Sequence, residues 1–310
     1  MQYFERIAVI IVCIIVLLLL VSTVFAAIYL ARRLAWPKHF TTEETIQIEK
    51  KKNLYFNYDS YEREDFNTIS FDGYEIKGTL LKNDLKKFVI ISHGYTYTRY
   101  GGVKYATMFA KLGYSCILFD QRGHGENRPY KCTMGKLESR DLIEIIKHVR
   151  RKFGNDIYLG LHGESMGAGT QIYALRYLPK VDFVINDCGY GIFKDVIQEQ
   201  SKQIAHFPKW LVELSGVFSK WLYGYNFCKV RPIDSLREGR LSVPILFIHG
   251  GGDTCVSPRQ SKLMYDAYQG EKQIQIFKDS KHAQSFEDYP EHYYKVVKDF
   301  LKDIKKEKNY

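Results

Sequence analysis

Residues 157–169, Ile-Tyr-Leu-Gly-Leu-His-Gly-Glu-Ser-Met-Gly-Ala-Gly, begin as an apolar strand, pass through Gly163-Glu164-Ser165-Met166-Gly167, and continue as a helix. Glycines flank Ser165 because a tight turn between strand and helix leaves little room for side chains. Such a turn holds the serine hydroxyl above the end of a sheet, where a base can reach it. The pattern G-x-S-x-G occurs by chance in unrelated chains, so its weight comes from the elements around it. Here they predict a strand, a turn with a nucleophilic serine, and a helix.

Apolar segments alternate with helical patterns on both sides of this turn. They predict a hairpin with an Asp-Gly turn at residues 68–80, strands at 88–92, 115–119, 157–161, 183–186, 245–248 and 274–277, and helices at 103–112, 137–152, 168–177 and 289–304. Apolar strands separated by helices imply a mostly parallel sheet that helices cover on both faces. The predicted class is therefore α/β, and the chemistry of such sheets gathers at the carboxyl ends of the strands.

One long connection interrupts this alternation. More than fifty residues, rich in Phe, Trp, Tyr and Leu, separate the strand that ends at Asp187 from the one that begins near Pro244. A loop of that length is rare in a compact domain. We therefore expect a helical lid insertion at about residues 190–241, with aromatic side chains such as Trp210 and Trp221 in contact with a substrate. A structural excursion without substrate contact is the alternative.

Two side chains beyond the serine complete a candidate Ser-His-Asp triad. Asp253 directly follows a predicted strand, as the orienting acid of a triad does, and Asp187 at the preceding strand end is the rival acid. Two histidines follow both acids. His282 lies in the loop after the last strand, whereas His292 lies on the closing helix. Because a base must be free to reach Ser165, we predict the triad Ser165, Asp253 and His282.

Negative charge that develops on a substrate oxygen requires hydrogen-bond donors. The backbone N–H of Met166, directly after the nucleophile, is one predicted donor, and the N–H of Tyr95 is the other. Gly94 precedes Tyr95 and permits close approach of the backbone. His93 precedes that glycine, and we expect it to brace the loop through hydrogen bonds rather than to act in catalysis.

Charge and cysteine content exclude several functional classes. The 310-residue chain carries a net charge of +10, but its basic residues are scattered and no nucleic-acid-binding motif accompanies them. An anionic membrane surface is the better partner for this charge. The six cysteines show no C-x-x-C pair, which favours free thiols and a reducing compartment, with disulfides as the alternative among Cys132, Cys228 and Cys255. We predict no metal and no cofactor, although four histidines precede glycines in similar loops: His93, His124, His162 and His249.

A membrane-spanning segment is predicted near the N-terminus. Ile7 to Ala31 contains no charged residue, and as a helix these 25 residues extend about 37 Å, more than the roughly 30 Å of a hydrocarbon core. The apolar run is longer than that of a cleavable signal peptide and lacks a convincing cleavage site. We therefore predict a retained anchor at residues 1–35, a juxtamembrane segment at 36–67, and a catalytic domain at 68–310. Positive charges are denser after the span, which favours a cytoplasmic catalytic domain.

Taken together, the motifs resemble those of the α/β-hydrolase superfamily. The resemblance extends over about residues 68–304 and rests on these motifs: His93-Gly94-Tyr95, Phe119 to Gly125, His162 to Gly167, His249 to Asp253, and His282. Within the superfamily, the chain most resembles bacterial membrane-anchored hydrolases labelled cell-surface hydrolases, which are related to serine-aminopeptidase-like and monoacylglycerol-lipase-like enzymes. The resemblance implies the α/β-hydrolase fold, the same triad and oxyanion donors, no cofactor, and a loop-shaping role for Asp120, Arg122 and His124. The cell-surface label favours the outer face of the membrane, against the charge distribution.

The predicted function is hydrolysis of a carboxylic ester of a small, lipid-like substrate by a membrane-anchored serine hydrolase. Thioester hydrolysis or acyl transfer is the first alternative, and hydrolysis of small peptides is the second. A catalytically silent, membrane-tethered binding module is the alternative outside enzymes. The complete set of Ser165, Asp253 and His282 argues against it, because a silent module does not need all three.

Overall fold

A central sheet of eight strands organises the chain, for which a computed structural model describes residues 2–204, 208–237, 239 and 241–307. The strands are β1 (Arg63–Ile69), β2 (Glu75–Leu81), β3 (Lys87–Ser92), β4 (Ser115–Phe119), β5 (Tyr158–Glu164), β6 (Phe183–Asp187), β7 (Ile245–Gly250) and β8 (Lys272–Phe277). Their order is β1-β2-β4-β3-β5-β6-β7-β8. The strands from β3 to β8 pair in parallel, and β1 and β2 add an antiparallel edge. The predicted α/β class is confirmed.

Helices cover both faces of this sheet. On one face lie α3 (Val103–Lys111) and α10 (Pro290–Glu307), with the short α9 (Ser285–Asp288) before α10. On the other lie α4 (Glu138–Phe153), α5 (Met166–Ala174) and α8 (Arg259–Ala267). Along β3, Val89 and Ile91 belong to the first core and Phe88 and Ile90 to the second, because successive side chains of a strand point to opposite faces. The strands β3 to β7 are thus buried on both faces of the sheet.

The predicted helical lid lies between β6 and β7. It contains α6 (Phe193–Ile204), α7 (Lys209–Tyr223) and short 3-10 helices at Phe227–Lys229 and Pro232–Leu236. Helices α6 and α7 and the first 3-10 helix pack around a third apolar cluster, whereas Ile233 and Leu236 of the second 3-10 helix belong to the core on the α4 face of the sheet. Positions 205–207, 238 and 240 of the predicted lid lie outside the described residues, as do positions 1 and 308–310 of the predicted domains.

Helix α1 (Gln2–Ala35) is a candidate membrane span by length and composition. Most of its side chains are exposed, but Ala27, Ala31 and Ala35 are buried where the helix contacts α7. Their spacing of four residues places them on one face of α1, where small side chains permit close helix packing. The C-terminal end of α1 is therefore part of the packed domain.

The predicted juxtamembrane segment, residues 36–67, also packs on the domain. It is therefore not a free linker between α1 and the sheet. Helix α2 (Thr42–Lys51) begins with a capping box between Thr41 and Glu44. Downstream of α2, the side chains of Leu54, Tyr55 and Tyr58 are buried in the same core as α3 and α10. The predicted domain boundary after residue 67 falls inside β1, which begins at Arg63. This edge strand exposes one face to solvent and carries polar residues there, so its apolar signal was too weak to mark its start.

Candidate active site

Ser165 lies in the turn between β5 and α5. Its φ of 55° and ψ of −114° form a strained backbone conformation for a residue with a side chain. A Cβ atom at Gly163 would lie 2.6 Å from the backbone N of Ala168, and one at Gly167 would lie 2.1 Å from the backbone O of Ser92. Both positions therefore require glycine, in agreement with the sequence pattern.

Three of the predicted site residues meet at the carboxyl ends of the strands. The Oγ atom of Ser165 lies 2.8 Å from Nε2 of His282, and Nδ1 of His282 lies 2.6 Å from Oδ2 of Asp253. The backbone N–H groups of Cys255 and Val256 donate to Oδ1 of Asp253 and fix that carboxylate after β7. The geometry is that of a nucleophile, a base and an orienting acid.

Charge interactions set the protonation states of the acid and the imidazole. Burial opposes ionisation of Asp253, but hydrogen bonds from His249 and His282 outweigh it and lower the pKa of Asp253 to about 2. Burial also opposes protonation of His282, yet the hydrogen bond to Asp253 and its negative charge raise the pKa of His282 above its usual value of 6.5. An ionised Asp253 holds the proton on Nδ1, so the neutral imidazole presents Nε2 as an acceptor to Ser165.

The rival acid, Asp187, bonds to other groups at the end of β6. Its Oδ2 accepts a hydrogen bond from the hydroxyl group of Tyr293 at 2.8 Å and lies 3.2 Å from the hydroxyl oxygen of Tyr105. The Tyr293 hydroxyl in turn accepts a hydrogen bond from Nε2 of His162. Burial raises the pKa of Asp187 to about 6. Asp187 thus belongs to a buried polar network, whereas His282 bonds to Asp253.

The remaining histidines of interest have structural contacts. His93 donates through Nδ1 to the backbone O of Gly94 and accepts at Nε2 from the N–H of Gln121, which ties two loops together as expected. The rival base, His292, lies on α10 and contacts the ring of Phe277. His249 accepts a hydrogen bond from the hydroxyl of Ser261. These contacts account for the histidines without a catalytic role.

Within the described part of the chain, one group of side chains has metal-binding spacing: Cys188, Asp253 and His282. Burial raises the pKa of the Cys188 thiol well above its ordinary value, which disfavours the thiolate that a metal requires. Asp253 and His282 already bond to each other. This group therefore belongs to the candidate triad.

The loop at residues 119–125 has the shaping role that the resemblance implies. Asp120 forms a buried ion pair with Arg99 and accepts a hydrogen bond from its backbone N at 2.7 Å. Arg122 is fully buried and pairs with Asp72 at 2.7 Å and with Asp141. These ion pairs hold the loop against the β1–β2 turn and α4.

A cavity of about 290 Å³ opens beside the candidate triad. Ser165 and His282 line it, and Asp253 lies behind His282. Both predicted oxyanion donors, Tyr95 and Met166, line it as well. Met166 is the first residue of α5, so its N–H has no acceptor within the helix and lies at the electropositive end. The structure thus brings all five predicted site residues to one place.

One part of the cavity lining is apolar. Its residues belong to the third apolar cluster and come largely from the lid: Met134, Tyr190, Phe193, Val196, Ile197 and Val256. Leu34, near the end of α1, also lines the cavity. The hydroxyl of Tyr95 donates to the backbone O of Arg33 at 3.1 Å, or of Leu34 at 3.3 Å. The candidate membrane span therefore forms part of the cavity wall.

The structure corrects the expected role of the two lid tryptophans. Trp210 and Trp221 are 57% and 78% exposed, and neither lines the cavity. They lie on the outer face of α7, because its inner face is buried at Leu211, Val212 and Ser215. The lid aromatic residues in contact with the cavity are instead Tyr190 and Phe193, before and at the start of α6.

Another part of the lining is charged and was not predicted. Lys104 Nζ lies 2.8 Å from Oε2 of Glu164, which also accepts a hydrogen bond from the hydroxyl of Tyr105 at 2.7 Å. Burial opposes ionisation of Glu164, but Lys104 outweighs it and lowers the pKa of this carboxyl. Glu49 on α2 and Lys52, the residue directly after α2, also line the cavity. The sequence offers only a weak signal for this charged lining, namely the carboxylate of Glu49 on the buried face of the capped helix α2.

Known proteins resemble this chain in sequence and in fold. The family model for serine aminopeptidase, S33, matches residues 83–224. The protein YqkD of Bacillus subtilis is 28% identical over 292 residues, which cover 92% of this chain and 95% of that protein. The caffeoylshikimate esterase of Arabidopsis thaliana is 25% identical over 244 residues, or 66% of this chain and 73% of the esterase. The solved structure of the Pyrococcus furiosus esterase Pf2001 matches 81% of this chain and 93% of its own, with a TM-score of 0.67 and 24% identity.

The chain has the α/β-hydrolase fold, and over residues 83–224 it is similar to the serine aminopeptidase family. The matched region includes the turn at Ser165 but ends before Asp253 and His282. Glu49 on α2 and Lys52 directly after it lie before the matched region.

Removing either candidate acid is expected to change the pKa of His282 by a different amount. We expect Asp253→Asn to lower this pKa, because it removes both the hydrogen bond and the charge that raise it. We expect Asp187→Asn to lower it less, since Asp187 acts on His282 only through its charge. NMR titration of histidine-labelled full-length protein in detergent measures both variants against the wild type. A larger effect of Asp187→Asn would assign the acid to β6.

Proposed function

We propose that this protein is a membrane-anchored serine hydrolase that cleaves the ester bond of a small, lipid-like acyl substrate. One observation carries the proposal: the continuous hydrogen-bonded series from Ser165 through His282 to Asp253 at the edge of a cavity. The superfamily and the named esterase relative support hydrolysis as the type of reaction.

Each residue of the candidate site has a separate role in the proposed reaction. His282 takes the proton of the Ser165 hydroxyl through Nε2 while Oγ attacks the carbonyl carbon of the substrate. The N–H groups of Tyr95 and Met166 stabilise the oxyanion, and Asp253 stabilises the imidazolium. His282 then protonates the leaving alcohol, which departs from the acyl-enzyme. Water, activated by His282, releases the acid and restores Ser165.

Peptide hydrolysis is a second candidate, because the family model that matches is that of a serine aminopeptidase. The apolar lid lining favours an acyl chain over a peptide, since it offers little to pair with a peptide backbone. An ester and an amide of the same acyl group separate the two candidates.

Replacement of the nucleophile tests the proposed activity directly. We expect Ser165→Ala to lower kcat for an acyl ester by on the order of 10³-fold or more, because only binding and the oxyanion donors remain. The matched control is Ser60→Ala at an exposed serine, which we expect to retain full activity. Turnover close to that of the wild type in Ser165→Ala would contradict the proposal, and a faster amide than ester would favour the peptidase.

The apolar lining is proposed to hold the acyl chain. Each buried methylene contributes about 0.8 kcal/mol, so we expect kcat/KM to rise up to about fourfold per methylene until the cavity is filled. Phe193→Ala removes part of this lining and is expected to flatten the dependence on chain length. Trp221→Ala, on the outer face of α7, is the control and is expected to keep it. Equal profiles in wild type and Phe193→Ala would place the acyl chain elsewhere.

The outer face of α7 supports a position of the domain against the bilayer. Trp210, Val217 and Trp221 are exposed there, beside the last turns of α1. Tryptophan is the residue type that concentrates at membrane–water interfaces. Arg32 and Arg33, exposed at the end of α1, suit an anionic lipid surface.

We propose the cytoplasmic face for the hydrolase domain. Basic residues are denser after the span than before it, and all six cysteines, which lie within the described residues, are free. Protease added to intact cells or spheroplasts is therefore expected to leave the domain intact until the cells are lysed. Digestion before lysis, with a cytoplasmic marker still protected, would place the domain outside.

A further inference from the structure

The last backbone carbonyls of α1 accept hydrogen bonds from two loops of the domain. The final four carbonyl groups of a helix have no donor within the helix and need one elsewhere. At the end of α1, the Ala35 carbonyl accepts a hydrogen bond from the backbone N–H of Cys132 at 2.8 Å. The hydroxyl of Tyr95 donates to the carbonyl of Arg33 or Leu34. One of these loops follows β3, and the other precedes α4.

Both loops lead to the predicted oxyanion donors. Tyr95 is itself one of them: its backbone N–H is the predicted donor, and its side chain bonds to α1. Cys132 is fully buried, and its Sγ atom lies 3.4 Å from Sδ of Met166, the other predicted donor. Leu34 and Ala35 belong to the same apolar cluster as Cys132 and Met166, and Tyr95 packs against that cluster. The end of α1 therefore contacts the structure around both donors.

The segment directly after α1 holds the same loop at a second point. The backbone N–H of Phe40 donates to the carbonyl of Thr96 at 2.9 Å, and the ring of Phe40 lies edge-on to that of Tyr97. Thr96 has a φ of 68°, which is a strained conformation for a β-branched residue. Such a conformation persists only where the surrounding contacts determine it. The chain that leaves α1 supplies one of these contacts.

We propose that the C-terminal turn of α1 positions the two oxyanion donors, so that the candidate membrane span is a structural part of the active site as well as an anchor. The inference rests on the proposed esterase function. A donor stabilises the oxyanion only when its N–H points to the place where the charge develops, and a displacement of about 1 Å is enough to lower the rate strongly. The Tyr95 hydroxyl is therefore a positioning group, which acts through the backbone N–H of the same residue.

Removal of that hydroxyl tests the proposal in full-length protein in detergent. We expect Tyr95→Phe to lower kcat for an acyl ester about tenfold, because loss of one hydrogen bond reduces the population of the correctly placed loop by up to that factor. We expect KM to stay unchanged, since the ring remains in the cavity lining. An unchanged kcat, or a rise in KM that accounts for the whole loss, would overturn the proposal.

The matched control removes a hydrogen bond of the same kind away from the cavity. The hydroxyl of Tyr268 donates to the backbone O of Val243 at 2.5 Å, and neither residue lines the cavity. We expect Tyr268→Phe to keep kcat, even where its thermal stability falls as much as that of Tyr95→Phe. An equal loss of kcat in both variants would assign the effect to general destabilisation and overturn the proposal.

Binding of butylboronic acid separates failure of the positioning from failure of the esterase. Oγ of Ser165 adds to boron, His282 takes the serine proton, and a boronate oxygen occupies the oxyanion position. We expect Tyr95→Phe to weaken this binding about tenfold, in line with kcat. Such a loss without hydrolysis of any ester would overturn the esterase and keep the positioning. Equal affinity in wild type and Tyr95→Phe would overturn the positioning, and a wild type with neither binding nor hydrolysis would overturn both.

Displacement of α1 tests the part of the helix itself. Ala27 is fully buried where α1 meets α7, and it does not line the cavity. We expect Ala27→Leu to lower kcat by crowding this contact, and its loss to combine with that of Tyr95→Phe to less than their product, because both act on one loop. Ala8→Leu, exposed on the same helix, is the control and is expected to keep kcat. Losses that multiply, or an unchanged kcat in Ala27→Leu, would overturn the role of α1.

Discussion

The close approach of α5 to β3 and β5 is the constraint on which the site depends. Gly163 and Gly167 have no room for a Cβ atom, and the turn between them forces Ser165 to a positive φ. This turn lies at the end of β5, between β3 and β6 in the sheet. The loops after β7 and β8 then bring Asp253 and His282 within hydrogen-bond distance of one another and of Ser165. The apolar packing on both faces of the sheet maintains the strained backbone conformation of Ser165.

Local sequence was a good guide where a single turn or a fully buried strand determined the structure. The glycines around Ser165, the apolar strands from β3 to β7 and the loop position of His282 carry their signals within a few residues. The same holds for the capping box of α2. The start of β1 was not predictable in this way, because an edge strand alternates polar and apolar residues and resembles a loop. The outward position of Trp221 depends on which face of α7 packs against the domain, and composition does not contain that information.

The charged lining shows a second limit of sequence reasoning. Glu49, Lys104 and Glu164 are far apart in the chain and lie on α2, on α3 and at the end of β5. Only the tertiary packing of α2 on the domain brings them to one cavity. A lysine or glutamate on a capped helix is usually solvated, so no pattern distinguished Glu49 from its exposed neighbours. Sequence motifs thus predict the candidate triad, whereas the charged lining of the cavity depends on contacts between residues far apart in the chain.

Leu34 connects the candidate membrane span α1 to the cavity of the candidate active site. The end of α1 packs against the lid helix α7, and the Tyr95 hydroxyl bonds to its last backbone carbonyls. A residue proposed to donate to the oxyanion is thereby attached to the helix proposed to cross the membrane. In the membrane-anchored state that we propose, this arrangement would place the apolar lining next to the bilayer, from which the proposed lipid-like substrate would come.

The central claim is that Ser165 is the nucleophile of a serine hydrolase. The most direct measurement is identification of the residue that a fluorophosphonate modifies in the full-length protein, by peptide mass spectrometry. The account predicts a single adduct, on the peptide that contains Ser165, and no adduct after denaturation of the protein before labelling. An adduct on another residue, or an unmodified Ser165 in folded protein, would contradict it.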